Sequence, residues 1–178
     1  MRIVSGQFKG RRIIAPKKLP VRPTTDMAKE ALFNILNNQF YLDEIKVLDL
    51  FAGTGNISYE FASRGTTQIT CVDKDFGCIK FINDTSKSFN MPIQTIKSDV
   101  FKFLEKTTQK ATIIFADPPY DFTLEDFIKI PHLVFNKNLL EEGGILIVEH
   151  SKHTDLSQVE DFSYSKAYGG NMFSFFES

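Results

Sequence analysis

The sequence predicts an α/β fold with a mostly parallel sheet covered by helices on both faces, and three observations predict it. From Ile45 onward, short β-branched apolar runs alternate with stretches of helical character. The first of those runs ends in a glycine turn, Gly53-Thr54-Gly55. With 178 residues, of which 42% are hydrophobic, the chain is long and apolar enough to bury a core. Parallel strands need long crossover connections, which helices supply, so strict alternation of the two element types favours a sheet buried on both faces.

The elements follow in order. Residues 1–40 read as an N-terminal extension and residues 41–178 as the main domain. In the extension, Arg2–Ser5 and Arg11–Ala15 are short and β-branched, with Gly6 and Gly10 between them, which predicts a hairpin. Pro16, Pro20 and Pro23 break the next stretch into a loop. Thr24, Thr25 and Asp26 are candidate N-caps for a helix running to about Asn37. Met27, Ala31, Leu32, Ile35 and Leu36 would form its apolar face.

In the main domain KVLDLF is the first buried strand, and its glycine turn opens a helix that continues through Ala62. TQITCVD is the second strand, followed by a helix from about Phe76 to Phe89. PIQTIKSD and ATIIFADPPY supply the third and fourth. A helix near Leu124–Phe135 leads to GGILIVEH, the fifth, and the tail offers two more strands around Phe162–Ala167 and Met172–Phe176.

Composition narrows the function classes. No apolar run approaches the ~20 residues that a membrane span needs, and MRIVSGQFKGRR at the start lacks a signal-peptide core. A cytoplasmic protein is expected. Cys71 and Cys78 match no zinc spacing and read as buried free thiols. Nothing near His150 and His153 completes a metal site, so no metal is expected. The net charge of −1 hides an asymmetry: seven basic residues and no acid precede Asp26, whereas from Asp26 onward 14 Lys/Arg face 22 Asp/Glu. A basic arm on an acidic body suggests a local polyanion contact, although a solvated basic hairpin reads the same way in composition.

The chemistry sits at the strand ends. In doubly wound sheets, ligands bind outside the carboxyl ends of the strands, near the first. Glycines there admit a ligand close to the backbone. A lone GxG is compatible with NAD, with S-adenosylmethionine or with turn geometry alone. Ser58 stands where a dinucleotide fingerprint would place its third glycine, and there is no phosphate-binding GK[ST], so a pyrophosphate loop is disfavoured. Asp49 suits an ammonium better than a pyrophosphate. Asp73 closes the second strand, where its carboxylate can accept from ribose hydroxyls. Asp99 follows the third, within reach of an adenine amine, and it also fits as the N-cap of SDVFKFL, as Asp75 does for the preceding helix. Three carboxylates after three successive strands would frame the amino-acid, ribose and adenine parts of S-adenosylmethionine.

The fourth strand runs into Asp117-Pro118-Pro119-Tyr120. An exocyclic amine of a base is a poor nucleophile because its lone pair is delocalised into the ring. Asp117 and the Pro118 carbonyl can each accept one N–H, and the prolines fix the backbone that aims them. The lone pair is then directed at the methyl donor by positioning and preorganised electrostatics. Tyr120 would stack on a base turned out of its helix or loop.

Taken together, RIVSGQFKGRRI, RPTTDMAKEALFNIL, VLDLFAGTGNISYEFASRG, DPPY and YGGNMFSFF make the chain resemble the RsmD family, bacterial 16S rRNA guanine-N2 methyltransferases of the Rossmann-like class I fold. RPTTD…EALFNIL is the specific part, since FAGTG and DPPY occur in many amino-methylating enzymes. The resemblance implies a seven-stranded sheet whose last strand runs antiparallel. It implies S-adenosylmethionine as cofactor, held by Asp49, Phe51, Ala52, Gly53, Thr54, Gly55, Asp73 and Asp99, and a catalytic loop at Asp117, Pro118, Pro119 and Tyr120. It puts the arm, with Lys9, Arg11, Arg12, Arg22 and Thr24, on the side facing 16S rRNA or a small-subunit assembly intermediate. Met27 stands where many relatives carry a basic residue, and Asp73 replaces a frequent glutamate. DNA adenine-N6 or cytosine-N4 methylation uses the same tetrapeptide, but little chain remains for a target-recognition domain. Protein-glutamine methylation fits poorly with the basic arm. A non-catalytic RNA-binding assembly factor would have no use for intact acids, and a nicotinamide oxidoreductase would need GxGxxG.

Overall fold

Strand β1 (Lys46–Leu50) lies at the middle of the molecule, flanked by β2 (Gln68–Asp73) and β4 (Ala111–Ala116), with β3 (Ile93–Lys97) outside β2 and β5 (Leu140–Ser151) outside β4. The last two strands, β6 (Phe162–Tyr168) and β7 (Asn171–Phe176), complete a seven-stranded sheet ordered β3-β2-β1-β4-β5-β7-β6. β1 to β5 pair in parallel, and β7 runs antiparallel between β5 and β6. These relationships come from a computed structural model that describes residues 1–19 and 24–177.

Side chains alternate across the sheet and build two cores. Val47, Ile113, Phe115, Ile145 and Ile147 face one way. They meet helices α1 (Asp26–Gln39), α2 (Asn56–Ser63) and α3 (Phe76–Phe89) through Leu32, Phe33, Phe61 and Ile82. Leu48, Ile114, Leu146 and Val148 face the other way, onto α4 (Val100–Lys106) and α5 (Leu124–Asn136). Three of these helices begin at the capping residues the sequence suggests. Thr25 accepts from the Ala28 amide at 3.2 Å, Asp75 from Cys78 at 2.8 Å and Asp99 from Lys102 at 3.0 Å. In α5, Thr123 and Asp126 form a reciprocal capping box.

The extension departs from the expected hairpin. The chain does fold back on itself, with the Ile3 amide donating to the Arg11 carbonyl at 3.0 Å and Gly10 to Ile3 at 2.9 Å. Pairing is nevertheless confined to a single antiparallel bridge, Arg2 to Arg12. A fuller ladder is displaced by bonds to α2: the amides of Val4 and Ser5 donate to Glu60, at 2.9 and 3.0 Å, and Phe8 donates to Ser63 at 2.9 Å. Ile3 and Ile13 enter the same core as the sheet. Pro20 and Pro23, expected in the connecting loop, lie outside the described residues.

Helix α1 turns a different face inward from the one expected. Ala28, Lys29, Leu32, Phe33 and Leu36 are buried, and Met27 is 65% exposed. The cause is Lys29, whose side chain is only 1% exposed. It donates to the Arg2 carbonyl at 2.6 Å and to Asn56 Oδ1 at 2.9 Å, and lies 3.4 Å from Glu60. Burial lowers its pKa and the Glu60 charge opposes that. A buried charge with this many partners can replace an apolar side chain on the inner face.

Candidate active site

Beyond β1 the backbone turns sharply, with Phe51 at φ 57°, Gly53 at 55° and Gly55 at 81°. Positive φ is costly for Phe51 and free for the glycines. Asp73, at the end of β2, holds this turn: one carboxylate oxygen accepts from the Gly53 amide and the other from the Asp75 amide, both at 2.8 Å. Lone pairs remain on both oxygens for a ligand's hydroxyls. A Cβ at Gly55 would lie 2.9 Å from the Tyr59 ring, so this glycine is required by packing behind the loop.

The turn opens on a cavity of about 410 Å³, within the range of small-molecule and cofactor sites. Asp49, Phe51, Ala52, Gly53, Thr54, Asp73 and Asp99 line it, as do Asp117, Pro118, Pro119 and Tyr120. Every residue expected at the cofactor site except Gly55 therefore faces one space, together with the whole expected catalytic loop. Asp99 both caps α4 and borders the cavity, so the two readings of it are compatible.

Other residues join that sequence reasoning did not single out. Phe101 and Phe122 line the cavity with their rings stacked at 5.8 Å and 18°, and Phe51 meets Phe122 edge-on at 5.4 Å. This is an apolar wall suited to a planar ring. Phe101 lies two residues beyond Asp99 and could have been noted as the aromatic neighbour of a candidate adenine ligand. Phe122 carries no such signal, because only the turn after Tyr120 brings it back.

Glu149 is the larger omission. Along β1, β4 and β5 the inward pattern runs Val47-Asp49, Ile113-Phe115-Asp117 and Ile145-Ile147-Glu149, so three carboxylates end adjacent strands on one face. Ala116 pairs with Val148, which makes Asp117 and Glu149 the next residues along their strands. The strand-end rule applied to GGILIVEH would have found it. Glu149 is 5% exposed, and accepts from the Thr24 hydroxyl at 2.7 Å and from the Asn171 amide at 2.5 Å.

Burial sets the electrostatics of this group. It pushes Glu149 up to about 7 against the opposing bonds from Thr24 and Asn171. Asp49 also rises to about 7, mainly by burial, with the Ser58 hydroxyl donating to it at 2.6 Å and acting the other way. Asp117 is pushed well above the carboxylate range by burial and then by the charges of Glu149 and Asp49. Burial also raises Asp73. Clustered carboxylates with raised proton affinity favour a ligand that brings positive charge or N–H donors.

The residues expected to face RNA divide. Lys9, Arg11 and Arg12 are exposed on the arm. Arg22 lies outside the described residues. Thr24 is only 7% exposed: its hydroxyl is committed to Glu149 and its carbonyl accepts from Asn56, so it borders the cavity instead of an outer surface.

Comparison with known proteins accords with this geometry. A family model described as conserved hypothetical protein 95 matches residues 1–177. The chain is 34% identical to the Bacillus subtilis protein named "Putative rRNA methyltransferase YlbH", over 89% of this chain and 86% of that one. It is 32% identical to the Escherichia coli K12 protein named ribosomal RNA small subunit methyltransferase D, over 90% of this chain and 76% of that one. A hypothetical protein of Thermus thermophilus superposes with a TM-score of 0.86 at 25% identity, covering 100% of this chain and 99% of the other. A T. thermophilus 16S rRNA N2 methyltransferase solved with AdoMet and guanosine shares the fold, at a TM-score of 0.69 and 18% identity over 89% of this chain and 45% of that one.

Proposed function

The chain belongs to the family described as conserved hypothetical protein 95, and from that membership and the site we propose that it transfers a methyl group from S-adenosylmethionine to the exocyclic N2 of a guanine in small-subunit ribosomal RNA. The observation that carries this reading is the convergence of Asp49, Gly53, Asp73 and Asp99 with Asp117-Pro118-Pro119-Tyr120 on one cavity. Its likeness to proteins named as rRNA methyltransferases supplies the substrate class.

The cavity fits the cofactor by its chemistry. Asp49 is a buried carboxylate whose proton affinity is raised by burial, and an amino-acid ammonium beside it would stabilise its charged form. Asp73 would accept from ribose hydroxyls while holding the Gly53 turn, and the Phe101–Phe122 wall beside Asp99 would take adenine. When bound, S-adenosylmethionine supplies an electrophilic methyl on a sulfonium.

The catalytic work of the chain is to present the amine. Asp117 and the Pro118 carbonyl each accept a hydrogen bond from one amine N–H, which weakens conjugation with the ring and points the lone pair toward the methyl; the one proton lost after transfer leaves through Asp117 to solvent. Asp117 enters this role from a site where its charge is disfavoured, so N–H donors stabilise the ionised form. Tyr120, 68% exposed at the rim, stacks on the base. The basic arm, with Lys9, Arg11, Arg12 and Arg22, neutralises phosphates beside the site. We assign the whole chain to one enzyme in which residues 1–40 are the RNA-facing extension, acting on 16S rRNA or a subunit intermediate in the cytoplasm.

The test is incubation with labelled S-adenosylmethionine and ribosomal RNA from a strain lacking the gene, followed by nucleoside mass spectrometry. N2-methylguanosine in small-subunit RNA is the expected product. N6-methyladenosine, or label in protein alone, would refute the assignment.

A further inference from the structure

We propose that Glu149 is a specificity-determining residue, whose carboxylate accepts the ring N1–H of the target and so restricts the adjacent catalytic carboxylate to guanine. The inference rests on the guanine reading above and deepens it.

The four-residue loop alone cannot choose a base, because adenine N6, cytosine N4 and guanine N2 all offer two amine protons. They differ in the neighbouring ring atom. The guanine amine is flanked by N1–H, a donor, on one side and by bare N3 on the other; those of adenine and cytosine are flanked by a bare nitrogen and a carbon, with no ring donor. A group next to Asp117 that can only accept would pair with guanine and repel the other two.

Glu149 meets that requirement by position. It follows Val148, the strand partner of Ala116, as Asp117 follows Ala116. A second, smaller notch of about 20 Å³ opens beside the main cavity, lined by Asp117, Pro118 and Tyr120 on one side and by Glu149, His150 and Asn171 on the other. It has room for about one water molecule, so it admits the edge of a ring and not its face. Tyr120 belongs to both spaces, as do Asp117 and Pro118. A base stacked at Tyr120 with its amine on Asp117 therefore turns its next ring atom toward the notch.

Two bonds fix the direction of Glu149 and favour its accepting form against the burial that pushes it up to about 7. Thr24 Oγ1 donates to one oxygen and Asn171 Nδ2 to the other. Both bonds favour the ionised form, and each oxygen keeps a lone pair free. His150 is not available as a competing donor, since its two ring nitrogens engage the Ser151 carbonyl at 2.8 Å and Ser174 Oγ at 2.7 Å. A base bringing two adjacent N–H groups relieves the repulsion between Asp117 and Glu149, and a base bringing a lone pair adds to it.

The experiment compares target RNA carrying guanosine with the same RNA carrying 2-aminopurine at that position, which retains the N2 amine and lacks N1–H. Wild-type protein is expected to methylate guanosine at least about 30-fold faster, the size of one buried hydrogen bond left unmade. Glu149→Gln can turn a donor toward the ring nitrogen, and it should shrink that ratio to within about threefold. Glu149→Asp should keep the preference at a lower rate. Calorimetry with S-adenosylmethionine shows that each variant is folded. A wild-type enzyme indifferent to N1–H, or a Glu149→Gln variant with the wild-type ratio, overturns the role of Glu149 and leaves guanine methylation standing. No methylation of guanosine by the wild type overturns the functional reading itself.

Discussion

The Thr24 hydroxyl donates to Glu149 at 2.7 Å across 125 positions of sequence, joining the end of the basic arm to the strand beside the catalytic loop. The link continues inward, because the Thr24 carbonyl accepts from Asn56 and Asn56 accepts from the buried Lys29. Removing the hydroxyl therefore reaches the site. Thr24→Val should cost about 1.5–3 kcal/mol, the range for a bond to a charged acceptor. It should also move Glu149 above its present value of about 7, since that bond opposes the burial effect. The pH dependence of 2-aminopurine discrimination would then shift to higher pH, and an unchanged profile would uncouple the arm from the site.

Two glycines of the arm should respond differently to alanine. At Gly6 a Cβ would stand 1.9 Å from the Ser63 carbonyl oxygen, with φ at 82°. Undocking of the arm from α2 is expected, at about 2–4 kcal/mol by denaturant unfolding. Gly10 has the same φ within a degree, but nothing lies within 4 Å of its Cβ, so only the backbone strain of about 1–2 kcal/mol remains. Equal losses would mean that close approach to Ser63 contributes nothing.

Asp49 and Glu149 make the cofactor-free protein less stable as pH rises. Both carboxyls have folded-state values near 7, above their ordinary ones, so the neutral forms favour folding below the unfolded values and that contribution is lost through pH 7. Stability should fall between roughly pH 5 and pH 8 by on the order of 2 kcal/mol per group, and the melting temperature with it. Asp49→Asn should flatten the fall. Affinity for S-adenosylmethionine should run in the opposite direction, rising by up to about tenfold per unit toward pH 7 as Asp49 ionises. A flat melting curve across that window would argue against buried, proton-sharing carboxylates.

Asp73 and Asp117 should separate binding from chemistry. Asp73→Ala is expected to weaken S-adenosylmethionine by roughly 1.5–3 kcal/mol, because the hydroxyl bonds and the clamp on the Gly53 amide go together. Asp117→Ala should bind it nearly normally and lose most turnover, since its bonds matter as the amine attacks. Calorimetry and single-turnover kinetics on both variants check the division; turnover within a few-fold of wild type would remove Asp117 from the reaction.

Replacing Arg11, Arg12 and Arg22 by alanine should cut RNA affinity and flatten its salt dependence by up to about three contacts' worth, at about 0.7–0.9 log units per contact per decade of salt. Arg11 and Arg12 are exposed on the arm and line neither cavity, so affinity for S-adenosylmethionine should hardly change. Filter binding across a salt series measures the slope; an unaltered one would leave the arm as scaffolding.

The sequence by itself determined the order and type of the elements. Helix α3 spans Phe76–Phe89 as read, and β1 to β5 fall within a few residues of their expected places, because β-branched runs, caps and glycines act over only a few neighbours. The carboxylates at the ends of β1 and β2 and just after β3, and the DPPY loop, were legible for the same reason: a strand end is a local event, and the α/β architecture then sends all such ends to one side. Tertiary structure alone decided what meets there. β7 inserted between β5 and β6 brings Asn171 to Glu149, and the arm docking on α2 limits its own ladder to the Arg2–Arg12 bridge. Lys29 turned α1 inward on a charged side chain because its partners, Arg2 on the arm and Asn56 and Glu60 on α2, are distant from it in sequence. Such choices depend on partners distant in sequence and on how fully each buried polar group is satisfied, which no local pattern encodes.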